Sequence, residues 1–325
     1  LLEEPEIHMV LVIFVPPKLG QPLEILESIS KIASHYPDKP VLPVIMAEES
    51  FYQQIKGRED YLPVFDFPEP AAKTLAKLYR YSTWKEKPSL KPRSIAPEKV
   101  KKVEKILKEY KGQGYLPLPE SFEILESYEI PVAKWALAQT KEEVLQYAQN
   151  IGFPLVLKGI LPQITHKSDL GLVITGIPNK ESLQKKVDEL SQKASSHSKE
   201  VLFLIQEEIK GGKEIIFGIT QEAKFGPLVM VGMGGKYVEI FQDIRLALPP
   251  LGPYESKEML ESLKGYPLLK GARGEEGVNL EKIQEVLEKV SLLAQHEEIL
   301  EMDINPFMAL PKGQKSCAVD IRIRV

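Results

Sequence analysis

Residues 164–171 read ITHKSDLG, a polar segment closed by glycine and set directly after the apolar run GFPLVLKGILPQ. The residue that could do chemistry there is His166. A neutral imidazole on an exposed loop can attack phosphorus, and the phosphohistidine it forms keeps a high transfer potential, so transfer runs in either direction. The plain alternative is a loop histidine that only hydrogen-bonds its neighbours. His8, His35, His197 and His296 have no comparable surroundings and read as structural or surface residues. No two histidines or cysteines show ligand spacing, which disfavours a zinc-type site.

Phosphoryl chemistry also needs a cation and an ammonium, and the apolar runs carry both kinds of group. Lys158 ends one strand, Glu207 and Glu208 end another, Glu214 begins a third, and Asp303, Asn305 and Asp320 lie on the last two. A buried charge is costly unless it is paired or ligates something. Asn305 and Asp320 flank the turn PKGQ and can converge on one hard cation through oxygen ligands, as magnesium requires when it also bridges phosphates. Each acid could equally cap a turn or pair with Lys or Arg at a sheet rim. Gly232, Gly234 and Gly235 in VGMGGKYVE lie between two apolar segments, where a backbone without Cβ atoms can approach a phosphate or a base. A glycine-rich hairpin has the same composition without a ligand. The spacing is neither a P-loop nor G-x-G-x-x-G.

These residues need elements to hold them. MVLVIFV, KPVLPVIMA and LPVFDF, each followed by a helical pattern, read as a small parallel α/β domain covering residues 1–82, with its sheet covered on both faces. Residues 83–113, rich in lysine and proline, read as a linker running into a surface helix. Over 114–325 the pattern continues with helix ESFEILESYEI, strand PVAKWALA, helix TKEEVLQYAQNI and strand FPLVLKG. Thr140 and Glu143 form a capping box. VLFLIQEEI, KEIIFGI and PLVMVGMGGKYVEIF then suggest one antiparallel or mixed sheet, followed by a helix near 279–296 and two terminal strands.

A chain of 325 residues is long enough for two or three domains, and 43% hydrophobic with 27% charged residues is the composition of a soluble globular protein. A formal net charge of −4 argues against a nucleic-acid surface, and the apolar runs are too short for a membrane span. The single cysteine, Cys317, excludes an internal disulfide framework, so the expected location is the cytoplasm. Beginning with leucine, the chain reads as a piece of a longer polypeptide.

The order of these segments resembles a known family. ESFEILESYEIPVAKWALAQTKEEVLQYAQNIGFPLVLKG is similar to the opening of the ATP-grasp domain of ADP-forming acyl-CoA synthetases, also called acetate–CoA ligases (ADP-forming). HKSDLG, FGPLVMVGMGG, LLKGARG and EMDINPF follow in that family's order. The preceding unit resembles the flavodoxin-like, ligase-associated domain of single-chain members. The fold implied is α/β: a small parallel flavodoxin-like domain, then a two-lobed ATP-grasp domain. The reaction implied is reversible exchange of acyl-CoA, ADP and phosphate for free acid, CoA and ATP, with ATP/ADP and Mg2+ bound here. By this resemblance His166 is the second phosphohistidine, on a swinging loop, and Lys158 contacts the nucleotide phosphates. Gln206, Glu207, Glu208 and Ile209 line the adenine, Glu214 faces the ribose, Gly234 and Gly235 approach the nucleotide, and Asn305 and Asp320 hold magnesium.

Leu161 stands where the family has a serine, and Gly171-Leu172 where it has a double glycine. The CoA-binding domain and the domain of the first phosphohistidine are expected upstream or in a partner subunit, which would supply the small acid and CoA, and an oligomer is expected. Two other readings compete. One is a silent, synthetase-like regulatory module of a protein acetyltransferase, which would be expected to lack His166. The other is a carboxylate–amine ligase, which would have no use for it.

Overall fold

The structure is a computed structural model, described here for residues 1–16, 21–86, 91–160, 172–195, 201–235, 242–272 and 274–325. It divides into two compact units, Leu1–Pro88 and Ser89–Val325. In the first, β1 (Val10–Phe14), α1 (Pro22–Ala33), β2 (Val41–Ile45), α2 (Glu49–Ile55) and α3 (Pro68–Lys85) follow one another. β1 and β2 pair in parallel from Val10 opposite Val41 to Phe14 opposite Ile45. The third expected strand is reduced to a parallel bridge between Val44 and Phe65. Pro63 and Pro68 confine it, since each removes a backbone donor from the ladder. β2 is buried throughout, but β1 leaves Ile13 exposed. A strand of unbroken apolar character therefore lies at an edge, where burial on both faces was expected.

The second unit opens with α4 (Pro97–Glu109) and α5 (Leu118–Ser127). The stretch 83–113, read as linker and surface helix, contains the end of α3 and all of α4. Val103 and Leu107 of α4 are fully buried in the core of the second unit while its lysines face outward. β3 (Trp135–Ala138), α6 (Lys141–Ile151), β4 (Leu155–Ile160), β5 (Val173–Ile177), α7 (Lys180–Ser195) and β6 (Leu202–Glu207) come next. The strands form an antiparallel sheet in the order β3-β6-β4-β5. The Thr140 and Glu143 capping box starts α6 as expected.

The remainder builds a larger sheet. β7 (Lys213–Glu222), β8 (Gly226–Met233) and β9 (Ile244–Ala247) are followed by α8 (Pro253–Glu261), α9 (Tyr266–Lys270) and α10 (Leu280–Leu293), then by β10 (Glu301–Ala309), β11 (Cys317–Ala318) and β12 (Arg322–Arg324). The order is β11-β10-β7-β8-β9, with β12 also on β10. β6 and β7, consecutive in the chain and expected in one sheet, thus belong to two. Their apolar patterns are alike, and only the long-range partners separate them.

The alternation of side chains across the four-stranded sheet decides what each face does. Leu155, Leu157, Phe203 and Ile205 join Val144, Ala148, Leu183 and Val187 of α6 and α7 in one apolar cluster. The opposite face sends Trp135, Leu137, Ile160 and Leu204 to the core of the larger sheet. Lys158 is opposite Leu204, and Gln206 is opposite both Val156 and Trp135, so both lie on this second face. Among the described residues no helix is long and apolar enough to cross a membrane.

Candidate functional site

Lys158 is 7% exposed, and its Nζ donates to the Val319 carbonyl at 2.8 Å. That bond joins the smaller sheet to the segment between β11 and β12 and brings the ammonium next to Asp320 in the chain. The expected single last strand is broken at this point: residues 319–321 leave the ladder between β11 and β12, and Asp320 occupies the break. Asn305 is placed by a related device. The β10–β7 register shifts between Ile304 and Phe307, leaving Asn305 and Pro306 in a bulge. A bulge re-aims side chains, and proline cannot donate to a ladder. The Val319 amide donates to the Pro306 carbonyl at 3.2 Å, tying the bulge to the Asp320 segment. Lys158, Asn305 and Asp320 are thereby gathered where the two sheets meet.

Asp303, singled out in the sequence without a role, and Arg322, not anticipated there, belong to the same neighbourhood. They are opposite one another in the β10–β12 ladder. Burial pushes the Asp303 carboxyl above the usual carboxylate range and the nearby Asp320 adds to this, while Arg322 and a hydrogen bond with the Asn305 side chain oppose it. The signal in the sequence was an acid two residues before Asn305, on the same face of one strand.

Glu214, Gly234 and Gly235 form a second group. The Gly234 amide donates to the Glu214 carbonyl at 2.6 Å. A Cβ on Gly234 would stand 2.6 Å from the Glu214 Cβ, and Gly235 adopts φ +89°, so this approach needs glycine at both positions. Glu214 itself is exposed and lies opposite Met308, three residues along β10 from Asn305.

The end of β6 supplies a third. Gln206 is 1% exposed and its Nε2 has no hydrogen-bond partner. Glu207 turns away: its carboxylate accepts from the Lys134 amide at 2.6 Å and from Lys315 at 3.4 Å. One Glu208 oxygen accepts from the Gly176 amide at 2.9 Å, whereas the other, Oε2, is buried without a hydrogen bond and faces the Lys210 ammonium at 4.0 Å. Ile209 is half-buried just beyond the strand. His166, Leu161 and Gly171 lie outside the described residues, whereas Leu172 is fully buried against the smaller lobe's helices.

Of the other histidines, His35 is exposed and bonded to the Lys31 carbonyl, and His296 is buried against the Tyr128 hydroxyl; His197 is outside the described residues. Among the described residues no three His, Cys, Asp or Glu side chains are arranged to hold a metal alone. The amide oxygen of Asn305 with the carboxylate of Asp320 is a sparser, all-oxygen donor set. It fits magnesium, which keeps several waters and takes further oxygens from substrate phosphates.

Two antiparallel sheets meet over Lys158 and the segment that joins β11 to β12, and residues 107–325 match the ATP-grasp domain family. The chain is 38% identical over 226 residues to the β subunit of acetate–CoA ligase (ADP-forming) II of Pyrococcus furiosus, covering 67% of this chain and 96% of that subunit. It is 31% identical over 328 residues to the 4-hydroxybutyrate–CoA ligase (ADP-forming) of Nitrosopumilus maritimus, covering 99% of this chain but only 47% of that relative's length. Among solved structures, ACD1 of Ca. Korarchaeum cryptofilum in complex with coenzyme A superposes with a TM-score of 0.63 at 36% identity, over 69% of this chain and 99% of that one. A further structure of that organism's acetyl-coenzyme A synthetase 1 holds Mg-AMPPCP, its phosphohistidine segment pointing towards the nucleotide binding site (TM-score 0.60, 35% identity, over 69% of this chain and 99% of that one). The chain belongs to the ATP-grasp family, in its branch of ADP-forming acyl-CoA ligases.

Proposed function

We propose that the second unit is the ATP-grasp part of an ADP-forming acid–CoA ligase, binding ADP or ATP with Mg2+ and exchanging a phosphoryl group between His166 and the nucleotide. The observation that carries this reading is the convergence of Lys158 with the Asn305–Asp320 segment, through the bond from Lys158 Nζ to the Val319 carbonyl. Phosphoryl transfer asks little of a protein beyond position and charge. Lys158 would neutralise phosphate oxygens from the smaller sheet. Asn305 and Asp320 would hold magnesium from the larger one, and Mg2+, when bound, spreads the charge of the transferring group. Glu214 would meet the ribose beside the close approach of Gly234 and Gly235, and the end of β6, from Gln206 to Ile209, would line the base. His166 breaks its P–N bond as a P–O bond to ADP forms, and the reverse step regenerates phosphohistidine.

The CoA-binding and first phosphohistidine domains would come from the rest of the same enzyme or from a partner subunit, as the β-subunit relatives suggest. The first unit, with its parallel β-α-β order, fits the ligase-associated flavodoxin-like domain of residues 1–82. Incubation with Mg2+ and γ-labelled ATP, quenched in base, tests the shuttle. Acid-labile label is expected on the wild-type chain and absent from His166→Ala. Equal labelling of the two proteins would contradict it, and a wild-type chain that binds ATP yet stays unlabelled beside its partner domains would favour a silent regulatory module.

A further inference from the structure

Three arginines of the second unit have hydrogen-bond partners: Arg324 Nε donates to Glu301 at 3.1 Å, Arg93 Nε to Glu288 at 2.7 Å, and Arg245 Nε to the Ser262 hydroxyl at 3.1 Å. Arg322 differs. It is half-buried, yet no hydrogen bond or ion pair joins it to any described residue. Asp303, opposite it in the β10–β12 ladder, acts on it through charge at a distance. A guanidinium is a planar fork of donors that matches phosphate oxygens in pairs, so one without partners beside a phosphate site has its donors available.

Register places those donors. Gly218 of β7, Asp303 of β10 and Arg322 of β12 are successive partners across the larger sheet. At the neighbouring positions Phe217, Met302, Ile304 and Ile323 enter the main core, so Arg322 lies on the opposite face. Glu214 lies on that same face, four residues back along β7 from Gly218. The two side chains are thus separated by about 13 Å along the strand and about 10 Å across two strand spacings. Asp320 is two residues from Arg322 in the chain. A nucleotide whose ribose meets Glu214 and whose magnesium sits at Asn305 and Asp320 has its last phosphate at the Arg322 end of this face.

We propose that Arg322 binds the terminal, transferable phosphoryl group, which ATP carries and ADP lacks. This rests on the nucleotide reading given above. Two guanidinium N–H groups donate to two of the three oxygens that stay on phosphorus while its P–O bond to ADP breaks and its P–N bond to histidine forms, and again in the reverse step. Lys158 reaches the phosphates from the smaller sheet as a point charge. Arg322 reaches them from the larger sheet and adds a fixed, planar geometry. Bound ADP leaves Arg322 unused, so the site tells the charged nucleotide from the spent one at this residue.

Calorimetric titration of the chain with Mg·ADP and with Mg·AMPPCP, whose terminal phosphoryl group is held on a carbon bridge and cannot transfer, tests this. Wild type, Arg322→Lys and Arg322→Met are compared, each checked for its thermal unfolding. Arg322→Met is expected to weaken Mg·AMPPCP by about 20-fold and Mg·ADP by less than about twofold. Arg322→Lys keeps the charge but loses the paired geometry, and should weaken Mg·AMPPCP by about threefold. The ratio of the two dissociation constants is the informative quantity, because damage to the fold or to magnesium binding moves both together. An unmoved ratio in Arg322→Met, or a wild type that takes Mg·ADP and rejects Mg·AMPPCP, overturns the inference. Should Arg322→Met fail to fold, an unmoved ratio in Arg322→Lys overturns it instead. A wild type that binds neither nucleotide overturns the proposed function as well, whereas tight Mg·ADP binding with an unmoved ratio removes the role of Arg322 alone.

Discussion

Two buried polar regions of the second unit differ in one respect. Glu288, on α10, is fully buried and accepts from Arg93 Nε at 2.7 Å, Ser256 Oγ at 3.0 Å and Gln284 Nε2 at 3.2 Å. Its neighbour Lys289 is bound by Glu285 at 2.6 Å and the Glu129 carbonyl at 3.0 Å. Where the sheets meet, Gln206 Nε2 and Glu208 Oε2 are just as hidden and have no hydrogen bond. Desolvated polar groups are unfavourable in both places. Around Glu288 the protein completes the hydrogen bonds itself and obtains a fixed structure. Around Gln206 the described residues supply no such partner.

Removing a partner should therefore have opposite signatures in the two regions. Glu288→Ala takes from Arg93 its acceptor and leaves Ser256 and Gln284 with the Pro253 carbonyl alone, and urea unfolding should show a loss of about 3 kcal/mol. The affinity of the refolded variant for Mg·ADP should stay within about twofold of wild type. A stability loss below about 0.5 kcal/mol would mean that the Glu288 cluster is not the self-contained unit described here.

A smaller effect sharpens the same contrast. His296 is buried with one partner, the Tyr128 hydroxyl at 2.5 Å, and burial lowers its pKa below the ordinary value, against a weaker upward pull from Glu298 and Glu104. Burial likewise pushes the Tyr128 hydroxyl up to about 12. With the folded-state pKa depressed, the unfolded chain takes up the His296 proton first as pH falls through about 6.5. The contribution to stability is thus complete above that pH and is lost as pH falls through the lower, folded value. His296→Gln should flatten the stability profile as pH falls below about 6.5. Identical slopes in the two proteins would show that the histidine does not titrate differently on folding.

Much of this arrangement was legible in the residues. Part of the order of strands and helices followed from apolar runs, proline and glycine punctuation and one capping box, whereas β5, α7, α8 and α9 went unread. Lys158, Asn305 and Asp320 stood out because charged or amide groups interrupted otherwise apolar strands. What stayed hidden depended on partners far away in the chain. β6 and β7 read alike, yet one pairs with β3 and β4 and the other with β8 and β10. The bond between Arg93 and Glu288 spans 195 residues, and no local pattern announces it. Glu207 and Glu208 are adjacent and identical in type, but the first is taken up by Lys134 and Lys315 while the second keeps an oxygen without a hydrogen bond, facing only the Lys210 ammonium. Asp303 went unassigned because its role depends on Arg322 across a ladder, where register, not composition, makes the pair.

Titration of Mg·ADP into wild type and Lys158→Met measures directly whether the cleft binds a nucleotide through Lys158. The expected result is saturable one-to-one binding to the wild type, weakened about 30-fold in Lys158→Met, or about 2 kcal/mol, the contribution of a hydrogen bond to a charged partner. A wild type that does not bind Mg·ADP, or a folded Lys158→Met variant that binds it as tightly as the wild type, would contradict the assignment of this cleft as the nucleotide site.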